Sequence, residues 1–170
     1  MPLVQNPYLA LPACIQQMFA ADVPDSPSIW LAGGGAVRAV LGVPNAGIWH
    51  SDWDLYCTGA GFALLCAVLG RTPERQAHRH ERDYALYFDS QELLHIFVGE
   101  QFASPTQVYR FFDLSIVCVA ISRGAVVFGP KALEDLQLGQ FRYVRGPDHP
   151  IERDRVERYQ QRGFKNLGRM

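Results

Sequence analysis

Two aspartates separated by one tryptophan, Asp52 and Asp54, stand in the stretch "HSDWDLYC", and a run of three glycines, Gly33, Gly34 and Gly35, stands upstream in "LAGGGAVRAVLG". Carboxylates at i and i+2 of a strand share a face and can ligate one divalent cation together. A glycine turn that opens a helix presents unpaired backbone N–H groups and lets phosphate oxygens approach them closely. Each feature alone is a weak signal: a run of glycines is more often a plain tight turn, and a D-x-D on a strand is more often a solvated face. In one short segment they combine a phosphate cradle with a metal seat.

The elements that must position them are legible in the surrounding pattern. "SIWLAG" is a short apolar run ending at glycines, and "GAVRAVLG" has a helix's composition, so this part reads as strand, turn, helix. "VPNAGIWH" reads as a loop. "SDWDLYC" reads as a strand with Trp53, Leu55 and Cys57 on one side and Asp52, Asp54 and Tyr56 on the other. Upstream, Leu9, Leu11, Ile15, Met18 and Phe19 predict an amphipathic helix over 7–20. Downstream, "GFALLCAVLG" predicts a buried helix, "RTPERQAHRHERD" a solvated loop, and "YALYF" and "ELLHIFVG" two strands. "SPTQVYRFF" opens as a helix and leads to Asp113. "LSIVCVAI" and "AVVFG" predict a hairpin, "PKALEDLQLG" a helix, and "PIERDRVERYQQRGF" a charged helix. The sum is an α+β chain with a central sheet of about five strands.

The ordered combination Gly34, Gly35, Arg38, Asp52, Asp54 resembles the signature of the polymerase-β-type nucleotidyltransferase superfamily. It is most similar to the head domain of CCA-adding tRNA nucleotidyltransferases and bacterial poly(A) polymerases, where a strand and "GG-x-x-R" open a helix and a "D-x-D" strand follows. "YRFFDLSIVCVAI" resembles that family's R-R-D-F-T-I-N-A strand, with Asp113 at its aspartate and Ser115 at its threonine. The C-terminal "VERYQQRGF" resembles the helix after this core in small viral or phage-type relatives. The departures are Ala39 for an aspartate, Phe112 for an arginine, and Cys118 or its neighbour for an asparagine. The resemblance implies a nucleotidyltransferase fold with a mixed sheet flanked by helices. Length and the absence of repeats point to one domain over residues 1–170, of which the resemblance covers a core at 28–121, with a C-terminal helical extension at 130–165.

What that implies chemically is transfer of NMP from an NTP to a hydroxyl acceptor, RNA or tRNA first among them. Asp52 and Asp54 hold two Mg²⁺ ions, with Mn²⁺ as an alternative, while Gly33, Gly34 and Gly35 hold the phosphates. Asp113 is the favoured third carboxylate and metal ligand, because an unpaired charge opening an apolar strand is costly without a task or partner. Glu92 is the alternative. Arg38 reads either as a phosphate or acceptor contact, or as an exposed helical residue or partner of Asp52. Arg153, Arg155, Arg158 and Arg162 alternate with acids and read as an ion-paired helix, with RNA contact as the second reading. His78 and His80 flank Arg79 and lack a third ligand nearby, so a solvated loop is favoured over a metal pair. Two rival functions stand beside the enzyme: a nucleotidyltransferase-fold protein that binds nucleotide or partner without catalysis, and a D-x-D glycosyltransferase.

Composition bounds these readings. The 170 residues are 48% hydrophobic and 19% charged with a formal net charge of -1. That excludes a disordered chain and argues against attraction of the whole chain to nucleic acid. Cys14, Cys57, Cys66 and Cys118 form no CxxC pair, so they read as buried small hydrophobes in a reducing compartment rather than a zinc site. No apolar run approaches the ~20 residues that span a bilayer, and no basic leader opens the chain. A cytoplasmic protein without membrane contact is the expectation, and the oligomeric state is left open.

Overall fold

The computed structural model describes residues 1–75, 83–88 and 92–170. In chain order its elements are α1 (Ala13–Ala21), β1 (Ile29–Ala32), α2 (Gly34–Leu41), β2 (Trp53–Cys57), α3 (Gly59–Leu69), β3 (Glu74–Arg75), β4 (Asp83–Phe88) and β5 (Glu92–Val98). They continue with α4 (Pro105–Tyr109), β6 (Val119–Ile121), β7 (Val126–Phe128), α5 (Ala132–Leu138), β8 (Gln140–Tyr143), α6 (Arg153–Gln161) and β9 (Lys165–Arg169). The expected α+β class with a mixed sheet holds, but the main sheet has seven strands in the order β3-β4-β5-β2-β1-β6-β7. A second sheet pairs β8 with β9 in parallel.

β2, which carries the aspartate pair, is central. It runs antiparallel to β1 and parallel to β5. One of its faces is closed by helices: a Cβ added at Gly35 of α2 would stand 2.9 Å from the Trp53 ring, and one at Gly61 of α3 would stand 3.1 Å from the Cys57 Cβ. Leu31, Leu55, Leu94 and Ile96 of the sheet are fully buried, with Ile15, Val37 and Leu65 of the helices. Each such side chain contributes roughly 1.5–3 kcal/mol by leaving water. That closed face fixes the register, and with it the direction in which Asp54 points.

Four segments differ from expectation; one is strand β3, which lies in the stretch expected as a solvated loop and pairs with β4. The helix expected over 7–20 is a 3₁₀ turn at Pro7–Ala10 followed by α1, because Pro12 lacks an N–H and holds Leu11 extended. "LSIVCVAI" is strand only from Val119; its first half is a 3₁₀ turn at Ser115–Val117. The second sheet captures that half: Leu114 bridges to Tyr143, the Ser115 hydroxyl donates to Asp135 Oδ2 at 2.6 Å, and the Arg142 N–H donates to the Ser115 hydroxyl at 3.0 Å. The region expected as a helical extension holds strand β8 between α5 and α6. His78 and His80 lie outside the described residues. Among the described residues no helix is long and apolar enough to cross a membrane.

Candidate functional site

Gly33 caps α2 at φ 72° and ψ -146°, a conformation that L side chains rarely adopt. The turn brings the helix N-terminus against β2: a Cβ on Gly33 would stand 3.5 Å from Asp54 Oδ2, and one on Gly34 would stand 3.5 Å from the Ser51 Oγ. These residues line one pocket of about 330 Å³ together with His50, Asp52, Phe112, Val117, Arg155, Arg158, Tyr159 and Arg162. Carboxylates and a helix N-terminus therefore line one half-open pocket, and the polar atoms nearest the glycines are oxygens. Such a set suits a hard divalent cation such as magnesium rather than a soft metal.

The other wall comes from α6 and the residue just after it. Arg155, Arg158 and Arg162 recur at i, i+3 and i+7, so they share one helix face. Arg162 is buried and ties down the loop ahead of the aspartates, donating from Nε to the Ile48 carbonyl at 2.7 Å and from Nη2 to the His50 carbonyl at 3.3 Å. Burial pulls its pKa below the usual arginine value. Arg158 is exposed. Arg155 is half-buried and donates from Nη1 to Asp113 Oδ1 at 2.6 Å. Burial opposes its charge, but the bond to Asp113 and the fields of Asp113 and Glu152 more than compensate, so its pKa is raised. The ion-paired reading of this helix holds for Arg155 and Glu152, 2.9 Å apart. The same arginines also form a wall of the pocket, and their helical spacing on one face is the sequence signal for it.

Four expected site residues sit elsewhere. Arg38 is 2% exposed and lies on the Trp53 face of β2, with its guanidinium 4.1 Å from the Trp53 ring centroid. It donates from Nε to the Ser51 hydroxyl at 2.8 Å and from Nη2 to the Ser51 carbonyl at 3.3 Å, so it is neither exposed nor bonded to Asp52. Burial lowers its pKa to about 10. Gly35 serves packing, since a Cβ there would meet the Trp53 ring and, at 3.2 Å, the Asp52 carbonyl. Glu92 accepts from Asn45 Nδ2 at 2.8 Å and from Trp53 Nε1 at 3.2 Å, which places it behind the strand rather than with the aspartates. Asp113 is 5% exposed and held by Arg155. Its segment leads into β6, which pairs with β1 and β7 and not with β2. Among the described residues no three His, Cys, Asp or Glu gather closely enough to hold a metal ion. The buried Asp113 charge does have a partner, and that partner is Arg155.

No family model matches the chain, and no curated protein matches it in sequence. Solved structures do. A CCA-adding enzyme of Thermotoga maritima complexed with tRNA is similar over 98% of this chain and 43% of its own, at TM-score 0.66 and 16% identity. A CCA-adding enzyme in complex with CTP is similar over 94% of this chain and 42% of its own, at 0.63 and 16%. A tRNA-processing enzyme with CTP is similar over 82% and 40%, at 0.58 and 19%. The chain thus spans less than half the length of these neighbours. At such identities the likeness bears on architecture: the fold of this chain is the nucleotidyltransferase fold of CCA-adding enzymes, in keeping with the head-domain resemblance of its sequence.

Proposed function

We propose that this chain is a metal-dependent nucleotidyltransferase that moves NMP from an NTP onto a hydroxyl of RNA, tRNA included. The observation that carries the reading is the meeting of Asp52 and Asp54 with the Gly33–Gly34 turn in one pocket walled by three arginines. The backbone N–H groups that open α2 bind phosphate oxygens, aided by the helix dipole. Arg158 supplies a cation at the mouth, and Arg155 a second one whose direction Asp113 fixes. Arg162 holds the loop that carries His50 and Ser51, and so sets where Asp52 stands. Asp52 and Asp54 would hold magnesium or manganese, which would supply neutralisation of triphosphate charge and a lower pKa for the acceptor hydroxyl. The neighbours solved with tRNA, CTP and ATP support this substrate class.

A second reading, nucleotide binding without catalysis, is favoured by one observation: among the described residues no third carboxylate joins the pair. The fold speaks against a glycosyltransferase. The test is to incubate the protein with each labelled NTP, Mg²⁺ or Mn²⁺, and total RNA, following label and released pyrophosphate. Labelled RNA with stoichiometric pyrophosphate is expected. NTP binding without pyrophosphate would select the second reading.

A further inference from the structure

Behind β2, on the face away from the aspartate pair, lies a second and larger cavity of about 650 Å³. The start of α1, the loop after α2 and the Trp53 side of β2 border it. Leu11, Pro12, Val43 and Trp53 give it apolar walls, and Arg38 and Glu92 supply its charges. Its size is that of a small-molecule site, and apolar walls with a few fixed polar groups are how such sites are built.

The charge of Arg38 is unanswered within the described residues. Its Nε and Nη2 donate to the Ser51 hydroxyl and carbonyl, and Nη1 donates to no acceptor among those residues. No carboxylate among them forms an ion pair with it. Burial lowers its pKa only to about 10, so the side chain is cationic at neutral pH. A buried cation without a partner is costly, and an anion in the cavity supplies one.

A second wall points the same way. Ala13 and Cys14, in the first turn of α1, line the cavity. Pro12 at the cap makes no side-chain hydrogen bond to that turn, and no acid stands in it. The positive end of a helix dipole therefore shares the space with the guanidinium. Glu92 limits the charge the cavity can take. Its oxygens accept from Asn45 Nδ2 and Trp53 Nε1, which fixes a carboxylate at the edge of the indole whose face carries Arg38. Such a lining accommodates a single negative charge and disfavours a polyanion such as a triphosphate.

We infer that this cavity is a second ligand site, for a small organic monoanion. The ligand is a carboxylate whose headgroup takes Arg38 Nη1 and the N-terminus of α1, with an apolar tail against Leu11, Val43 and Trp53. The site is separate from the proposed nucleotide pocket and does not depend on it.

Isothermal titration calorimetry with octanoate and with octylammonium, chains of one length and opposite charge, tests this on wild type, Ala13→Trp and Arg38→Met. Ala13 is exposed where it lines the cavity, so its replacement narrows the space without entering the core. Wild type is expected to bind octanoate about tenfold tighter than octylammonium, the scale of one charge-assisted bond. Ala13→Trp loses octanoate binding, Arg38→Met loses the preference for the acid, and NTP with Mg²⁺ does not displace octanoate from wild type. Octanoate bound no more tightly than octylammonium, octanoate bound unchanged by folded Ala13→Trp, or competition between octanoate and NTP overturns the inference. Those three arms decide it even where Arg38→Met fails to fold. Failure of wild type to bind NTP strikes the reading of the aspartate pocket alone.

Discussion

The two faces of β2 carry neighbouring residues into opposite environments. Asp54 is half-buried in a charged pocket beside a glycine turn, whereas Trp53, one residue earlier, is 2% exposed beneath Arg38 and hydrogen-bonded to Glu92. The motif that reads as one unit in the sequence is split between them. Gly33, Gly34, Asp52 and Asp54 belong to the open face, and Gly35 and Arg38 belong to the closed one. The difference teaches that the proposed nucleotide site has a rigid, packed back. Arg38 holds Ser51 from behind, and Ser51 adjoins Asp52.

Substitutions on the two faces should therefore fail in different ways. On the open face, Asp52→Ala and Asp54→Ala are expected to lower transfer by more than about a hundredfold, beyond the usual loss for groups that only support a metal ligand. Their thermal or denaturant unfolding should stay within about 1 kcal/mol of wild type. On the closed face, Arg38→Ala reverses the pattern. It removes a buried cation that holds Ser51 and stands in the field of Glu92, so urea unfolding should show a loss of about 3 kcal/mol or more, with the larger effect on stability than on NTP affinity of the folded fraction. A variant of Arg38 that folds normally but fails to bind NTP would erase the distinction.

Smaller effects sharpen it. Arg158→Ala removes an exposed cation of the pocket wall, so calorimetry should show NTP binding weakened by about tenfold, in line with the loss of one charge-assisted bond, with stability nearly unchanged. Asp113→Asn should weaken NTP binding less than Arg158→Ala, because it acts through Arg155. The slightest perturbation is chemical. Burial raises the Cys57 and Cys118 thiols to about 12, so both stay protonated at pH 8. Mass spectrometry after brief alkylation should find Cys14 and Cys66 modified first.

How much of this was legible in the sequence follows from distance along the chain. Gly33, Gly34, Asp52 and Asp54 lie within one strand–turn–helix–strand unit, so local pattern suffices to place them. The pairing of Asp113 with Arg155 spans 42 residues, and no local rule says which cation answers a buried carboxylate. Arg38 was misplaced because helical spacing says which residues share a face but not which face meets the Trp53 ring. β8 and β9 escaped because "QFRY" and "KNLGR" alternate too weakly to stand out as strands. Their backbone groups are satisfied by pairing with each other across the helix α6.

The central claim is that the Asp54 face is a metal-dependent nucleotide site. It is tested most directly by calorimetric titration of NTP into wild type and Asp54→Asn, each with Mg²⁺ and with chelator. Wild type is predicted to bind NTP with Mg²⁺ and to lose most of that affinity in chelator, while Asp54→Asn binds weakly and equally in both. Affinity in wild type that is indifferent to Mg²⁺, or full Mg²⁺ dependence retained by Asp54→Asn, would contradict the account.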